Sequence, residues 1–327
     1  MISGIVPVYN LRDCVVRTLE SILAQSHRDL EVIAVNDGST DDSGRVLDAW
    51  ASGHPGRVRV IHIPNGGVTN ARLTGIRAAR GEWIGFVDGD DLIDPDMYRR
   101  LLDNAARFEA DISHCGYQME FADGRIHYFH NTGKILEQDT LSGLRDLLTG
   151  ELVEPGLCNK LYRRRLFDEL LDHPEPLAGI RINEDLLMNF YLFANADKAV
   201  FEDICPYHYL VRQGSATRQK LDPAAIHDPI RVKERILQEA PAELEKLARR
   251  AYLSTCIDTC NRIVVSGQRE LRQDLAQIRR EICTHYGWRN LLSRKQRLLA
   301  VLLRRWPWLY RLIYRVYHTW FMKNPYV

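Results

Sequence analysis

Between residues 2 and 108, four short apolar runs alternate with stretches whose apolar residues recur at helical spacing. That alternation restricts a chain to βαβ units, and such units lay their strands side by side in parallel. Residues 2–8, 30–35, 58–63 and 81–87 read as the strands, and residues 13–24, 46–51, 69–80 and 95–108 as the helices. In the first helix, Val15, Val16, Leu19, Ile22 and Leu23 supply the apolar face. Open α/β sheets bind ligands beyond the carboxyl ends of their strands, so the residues that follow each strand decide what the sheet can hold.

The first run closes in Pro7-Val8-Tyr9-Asn10, the second in Val35-Asn36-Asp37-Gly38-Ser39, and the fourth in Asp88-Gly89-Asp90-Asp91. In the last of these, only a glycine separates Asp88 from Asp90, so both carboxylates can lean toward one point. Clustered hard oxygens suit Mg²⁺ or Mn²⁺, and such an ion commonly also holds phosphate oxygens. An isolated acidic turn is more often a solvated helix cap, and Asp94-Pro95 fits an N-cap followed by proline at the first helical position. The other strand ends shift that balance. A carboxylate at Asp37 can accept the ring N–H of a pyrimidine, and the helix start at Asn70-Ala71-Arg72 offers backbone N–H groups and a guanidinium to a ribose or phosphate.

Beyond residue 110 the pattern changes. Residues 112–121 and 126–129 flank Ala122-Asp123-Gly124-Arg125 as a hairpin. Residues 141–148, 159–171 and 184–194 read as helices, and 199–211 as a strand pair or one long edge strand. From about residue 242 the chain reads as helical throughout, in segments 244–265, 270–286, 291–305 and 309–321.

The formal net charge of +1 hides an asymmetry: residues 288–327 hold nine Lys or Arg and no Asp or Glu, against 35 basic and 43 acidic groups before them. In that tail Leu309, Leu312, Ile313, Val316 and Trp320 recur at helical spacing, with Arg311 and Arg315 off the stripe and Trp306, Trp308, Tyr310, Tyr314 and Tyr317 around it. A basic amphipathic helix of this kind suits an anionic membrane surface, a twin subunit or the protein's own core. Nucleic acid is not an expected partner, because the acidic body repels phosphate. Seven cysteines without a CxxC pair fit neither a disulfide framework nor a zinc site. The opening residues show no secretory signal pattern and no run reaches the roughly 18 apolar residues of a spanning helix. The expected location is the cytoplasm, with peripheral contact on the inner face of the cell membrane through the tail.

Taken together, residues 2–217 resemble the family-2 inverting glycosyltransferases with the GT-A fold, the bacterial surface-polysaccharide members in particular. The resemblance rests on Pro7-Val8-Tyr9-Asn10, on residues 35–41, and on Asn70-Ala71-Arg72, Asp88-Gly89-Asp90-Asp91 and Asn183-Glu184-Asp185. It implies an α/β, Rossmann-like mixed sheet with helices on both faces and a C-terminal helical extension. The implied division is a nucleotide-sugar half at 1–110, an acceptor half at 111–217, a linker at 218–241 and a helical region at 242–327.

The resemblance also implies roles. Pro7, Tyr9 and Asp37 hold the nucleobase, Asp88 and Asp90 form a DxD motif for ribose and divalent metal, and Asp185 is the catalytic base. Asn159-Lys160-Leu161-Tyr162 resembles the family segment before the acceptor site, although a frequent Trp two positions before the lysine is Cys158 here. Lys160, Glu184 and Arg212 are expected near the diphosphate or acceptor, and His208, in a segment resembling the family's late loop, as a further metal ligand. The implied activity is Mn²⁺- or Mg²⁺-dependent transfer from a nucleoside-diphosphate sugar, UDP-linked, to a glycan or lipid-linked saccharide. Two rivals remain: a glycan-binding scaffold on an inactive fold, against which the intact Asp88, Asp90 and Asp185 argue, and a HAD-like phosphatase. The phosphatase wants its first Asp near the N-terminus and a Thr or Ser shortly after the pair, and neither is present. A dinucleotide oxidoreductase would need GxGxxG after the first strand.

Overall fold

The computed structural model describes residues 1–129, 131–211 and 221–321, and only the backbone of 315–321. The chain forms two compact units, Met1–Ala216 and Thr217–Val327.

The first unit opens with β1 (Ile2–Val8), α1 (Val15–Leu23), β2 (Leu30–Asp37), α2 (Ser43–Ser52), β3 (Val58–Ile63), α3 (Val68–Ala78) and β4 (Trp83–Phe86). Then come β5 (Leu92–Ile93), α4 (Met97–Phe108), β6 (Ile112–Phe121), β7 (Ile126–Tyr128), β8 (Ile135–Asp139) and α5 (Thr140–Thr149). It closes with β9 (Lys160–Arg163), α6 (Asp168–Asp172), α7 (Glu184–Ala194) and β10 (Lys198–Val211). Among the described residues the ten strands join one sheet in the order β3-β2-β1-β4-β9-β6-β10-β5, with β7 on β6 and β8 on β10. β1 runs parallel to β2 and β4, and β2 parallel to β3, so their carboxyl ends share one edge. Both β1 and β2 are buried along their whole length, as expected of strands covered on two faces. α3 lies close on β1 because residue 75 is glycine: a Cβ there would stand 2.4 Å from the Ile5 side chain. That approach brings Arg72, one turn earlier, to the strand ends.

Three expectations need correction. Residues 159–171 are not one helix: 160–163 form β9, antiparallel between β4 and β6, followed by a 3₁₀ turn and the short α6. Four residues with Leu161 and Tyr162 both fully buried carry no periodicity that separates strand from helix. β10 is a single strand inside the sheet, pairing β6 on one side and β8 then β5 on the other. α4 begins at Met97 behind Asp96, not at Pro95, because Asp94 is drawn into other contacts: its carbonyl accepts from Gln25 and its carboxylate meets His208.

In the second unit, the segment expected as a linker carries α8 (Pro223–Glu239), with Pro223 at the first position and the Asp222 carboxylate capping the Ala225 N–H at 2.8 Å. It is followed by α9 (Glu245–Ser266), α10 (Arg272–Thr284), α11 (Arg294–Arg305) and α12 (Pro307–Phe321). Ile226 of α8 joins a core with Leu253, Ile257, Ile278, Leu303 and Tyr310. α12 docks through Tyr310, whose hydroxyl donates to Asn261 at 2.6 Å. The inward face is thus Tyr310, with Leu309 and Tyr314 beside it, while Leu312 and Ile313 of the expected stripe point outward. The side chains of Arg315, Val316, Tyr317 and Trp320 lie outside the described residues. Among the described residues no helix is long and apolar enough to cross a membrane.

Candidate active site

At the end of β1, Pro7 is buried opposite Val35 of β2, while Tyr9 presents an exposed ring. Asn10 has φ +56°, a conformation asparagine tolerates better than most. Its side-chain oxygen accepts from the Thr40 N–H at 2.8 Å and the Asp41 N–H at 3.3 Å, and its own N–H donates to Ser39 Oγ at 3.0 Å. The loops after β1 and β2 are therefore tied together. Asp37 accepts the Gly66 N–H at 2.8 Å on one oxygen and the Gly67 N–H at 2.9 Å on the other, which leaves each oxygen a further lone pair for a ligand.

The turn after β4 closes with the Asp91 N–H donating to the Asp88 carbonyl at 3.0 Å. Asp88 is 40% exposed and lies against Arg72, whose Nη2 is 3.2 Å from Oδ1. The same guanidinium reaches Glu184 Oε1 through Nη1 at 2.9 Å. Burial opposes the charge on Arg72, but Asp88, Glu184 and Asp185 outweigh it and hold the group protonated. Its Nε–H is buried without a partner among the described residues. Asp185 follows Glu184 in the first turn of α7, entered through Asn183 at φ +65°. Burial raises the proton affinity of both acids. For Glu184 the neighbouring Asp185 adds to the rise, while for Asp185 the Arg72 charge limits it.

These groups open on a cavity of about 230 Å³ lined by Arg72, Asp88, Asp91, Asp185, Glu154, Cys158, Asn159, Tyr117, Met119, Tyr207 and Tyr209, among others. Asp91, third of the acidic turn, does not serve as a free carboxylate. The Tyr207 hydroxyl donates to it at 2.7 Å and accepts from the Asp88 N–H at 3.3 Å, and the Leu210 N–H donates to it at 3.0 Å. Burial and the nearby Asp88 push its carboxyl up to about 8. The Tyr207–Asp91 tie was not foreseen from the sequence, although the alternation Tyr207-His208-Tyr209 held the signal. Successive strand side chains face opposite ways, so with Tyr207 and Tyr209 on the cavity His208 faces away.

That geometry corrects the expectation of His208 as a metal ligand beside Asp90. Its Nδ1 sits 2.6 Å from Glu120 and 2.7 Å from Gln118, and its Nε2 2.9 Å from Asp94. Lys160 is likewise corrected as a diphosphate contact. It is fully buried, and its three N–H groups go to the carbonyls of Glu154 at 2.8 Å and Gly156 at 2.6 Å and to Asn159 Oδ1 at 2.7 Å. It supports the cavity wall instead. Asn189 of α7 helps, donating to the Pro155 carbonyl at 2.6 Å while accepting from Tyr162 at 2.7 Å. Arg212 lies outside the described residues.

The model of the glycosyl transferase family 2 matches residues 3–171, just over half of the chain and all three strand-end motifs. The chain belongs to that family. The glycosyltransferase EpsJ of Bacillus subtilis is 34% identical over 238 residues, covering 68% of this chain and 65% of EpsJ. The succinoglycan biosynthesis protein ExoO of Rhizobium meliloti is 30% identical over 226 residues, 66% of this chain and 62% of ExoO. The chain thus spans less than two thirds of either relative. Among solved structures, S. aureus TarS 1–349 in complex with UDP-GlcNAc is similar with a TM-score of 0.74 at 19% identity, over 97% of this chain and 91% of that one. That likeness shows the fold, a GT-A mixed sheet with a helical C-terminal region.

Proposed function

We propose that this family-2 member transfers a sugar, with inversion at the anomeric carbon, from a UDP-linked donor to a hydroxyl of a glycan or lipid-linked saccharide in polysaccharide biosynthesis. The observation that carries the reading is the bridge made by Arg72. One buried guanidinium joins the Asp88 turn after β4 to the first turn of α7, where Asp185 opens on the same cavity. TarS solved with UDP-GlcNAc and the succinoglycan role of ExoO support the donor and the pathway class.

In this reading Asp37, with Pro7 and Tyr9 beside it, accepts the ring N–H of the pyrimidine, and Asp88 serves the ribose. Asp185 takes the proton from the acceptor hydroxyl as that oxygen attacks the anomeric carbon from the face opposite the diphosphate. Its burial makes it a better base, and Arg72 keeps that rise in check. A buried donor without a partner costs about 1–3 kcal/mol, so the Arg72 Nε–H favours an oxygen-rich ligand in the cavity.

The donor set fits a divalent cation. Asp88 and Asp90 are hard carboxylates on one turn, separated by a single glycine. Mg²⁺ is commonly held in that way, by one or two carboxylates completed by substrate phosphates. When bound, such an ion supplies positive charge to the leaving diphosphate. A panel of UDP-, GDP- and dTDP-sugars tested for Mn²⁺-stimulated hydrolysis checks the proposal, with UDP-sugars expected to turn over fastest. Donor binding with no turnover on any sugar would leave the scaffold reading in its place.

A further inference from the structure

Within the second unit, α12 already meets its packing needs through Tyr310, which is 1% exposed and bonded to Asn261. Its other side is nonetheless apolar. Trp308 is 66% exposed and Leu312, one turn on, is 57% exposed, with Ile313 at 43% and Trp306 just before the helix at 46%. Arg311 flanks Trp308 and Leu312 on the same exposed arc, three residues after one and one before the other, and Arg305 stands exposed at the end of α11. Large aromatics left in water beside arginines, on a helix whose inward face is satisfied, call for an external partner.

We infer that this surface of α11 and α12 docks on a bilayer carrying anionic phospholipid headgroups. The charge decides among occupants. Residues 282–327 contain no Asp or Glu, so a symmetric contact between two copies would set arginines against arginines. A layer of anionic headgroups over hydrocarbon complements both parts: tryptophan and leucine enter the headgroup boundary, and the arginines remain with the phosphates. The inference stands independently of the transfer reaction.

Flotation of the 327-residue chain with phosphatidylcholine vesicles, with and without phosphatidylglycerol, tests it. The chain is expected to float only with phosphatidylglycerol and to be released at high salt. Arg305→Gln and Arg311→Gln should each weaken partitioning about fivefold, and Trp308→Gln with Leu312→Gln should weaken it further. All are exposed positions, so thermal unfolding should be unchanged, and donor hydrolysis in the absence of lipid should match the parent chain. Equal flotation with and without the anionic lipid, no flotation, or substitutions without effect would overturn the inference. So would sedimentation showing a dimer that Trp308→Gln and Leu312→Gln abolish, which would make the occupant a second copy.

Discussion

The turns after β1 and β2 and the wall of the cavity are held up by different physics. At the ends of β1 and β2, the polar side chains sit in turns and are fixed by neighbouring backbone amides, as Asn10 is by residues 40 and 41 and Asp37 by Gly66 and Gly67. On the cavity itself, the wall at residues 154–159 rests on Lys160 and Asn189, with the fully buried His114 nearby on β6. The first kind of support tolerates water, while the second depends on charge and amide groups kept from it. Damage to the turns should therefore weaken ligand binding before it weakens the fold, and damage to the wall should do the reverse.

Arg72 joins the turn after β4 to the first turn of α7, so its loss should be the largest. Arg72→Met leaves Glu184 and Asp88 without their shared counter-charge, and breaking a buried pair costs about 3–5 kcal/mol. Urea unfolding should show that loss, and adding Glu184→Gln should recover part of it. Lys160→Met strands two carbonyls and the Asn159 side chain, with about 3 kcal/mol expected to be lost. Acceptor KM should rise while donor affinity holds; if the lysine touched the diphosphate, donor affinity would fall and stability would not.

The buried wall should also make the fold sensitive to acid. Burial, aided by the Lys160 charge, lowers the His114 pKa to about 3. The unfolded chain therefore takes up a proton near pH 6.5 that the folded chain refuses, and stability is lost as pH falls below that point, by about 1.4 kcal/mol per pH unit for one proton. His114→Gln should flatten the decline in urea midpoints between neutral and acid pH. Smallest of these is Asn10→Ala, expected to cost about 1 kcal/mol and to show mainly as a higher donor KM.

The same division explains what the sequence disclosed. The parallel half of the sheet was legible because each βαβ unit declares itself in local periodicity. Asp37 and Asp88 stand at strand ends, Asp185 in the first turn of α7 and Arg72 early in α3, so local pattern was enough to propose them. The partners of these residues were not legible, since the Arg72 bridge to Glu184 spans 112 positions. Lys160 was misread because a lysine in a basic run gives no sign of being fully buried, and β9 because four residues are too few to show a period. His208 was misread although the tyrosines on either side of it fixed its direction. Asp91 looked like part of the acidic cluster, yet its bonds to Tyr207 and Leu210 turn it into a tie.

In the proposed function the strand-end turns hold the donor while Asp185, across the Arg72 bridge, moves the proton. Donor Kd and kcat measured together on Asp185→Asn test it most directly. Kd for the UDP-sugar should be unchanged and kcat lowered by about 10²–10⁴-fold, the usual worth of a general base. A variant that turns over like the parent chain, or one that loses donor binding and turnover together, would contradict it.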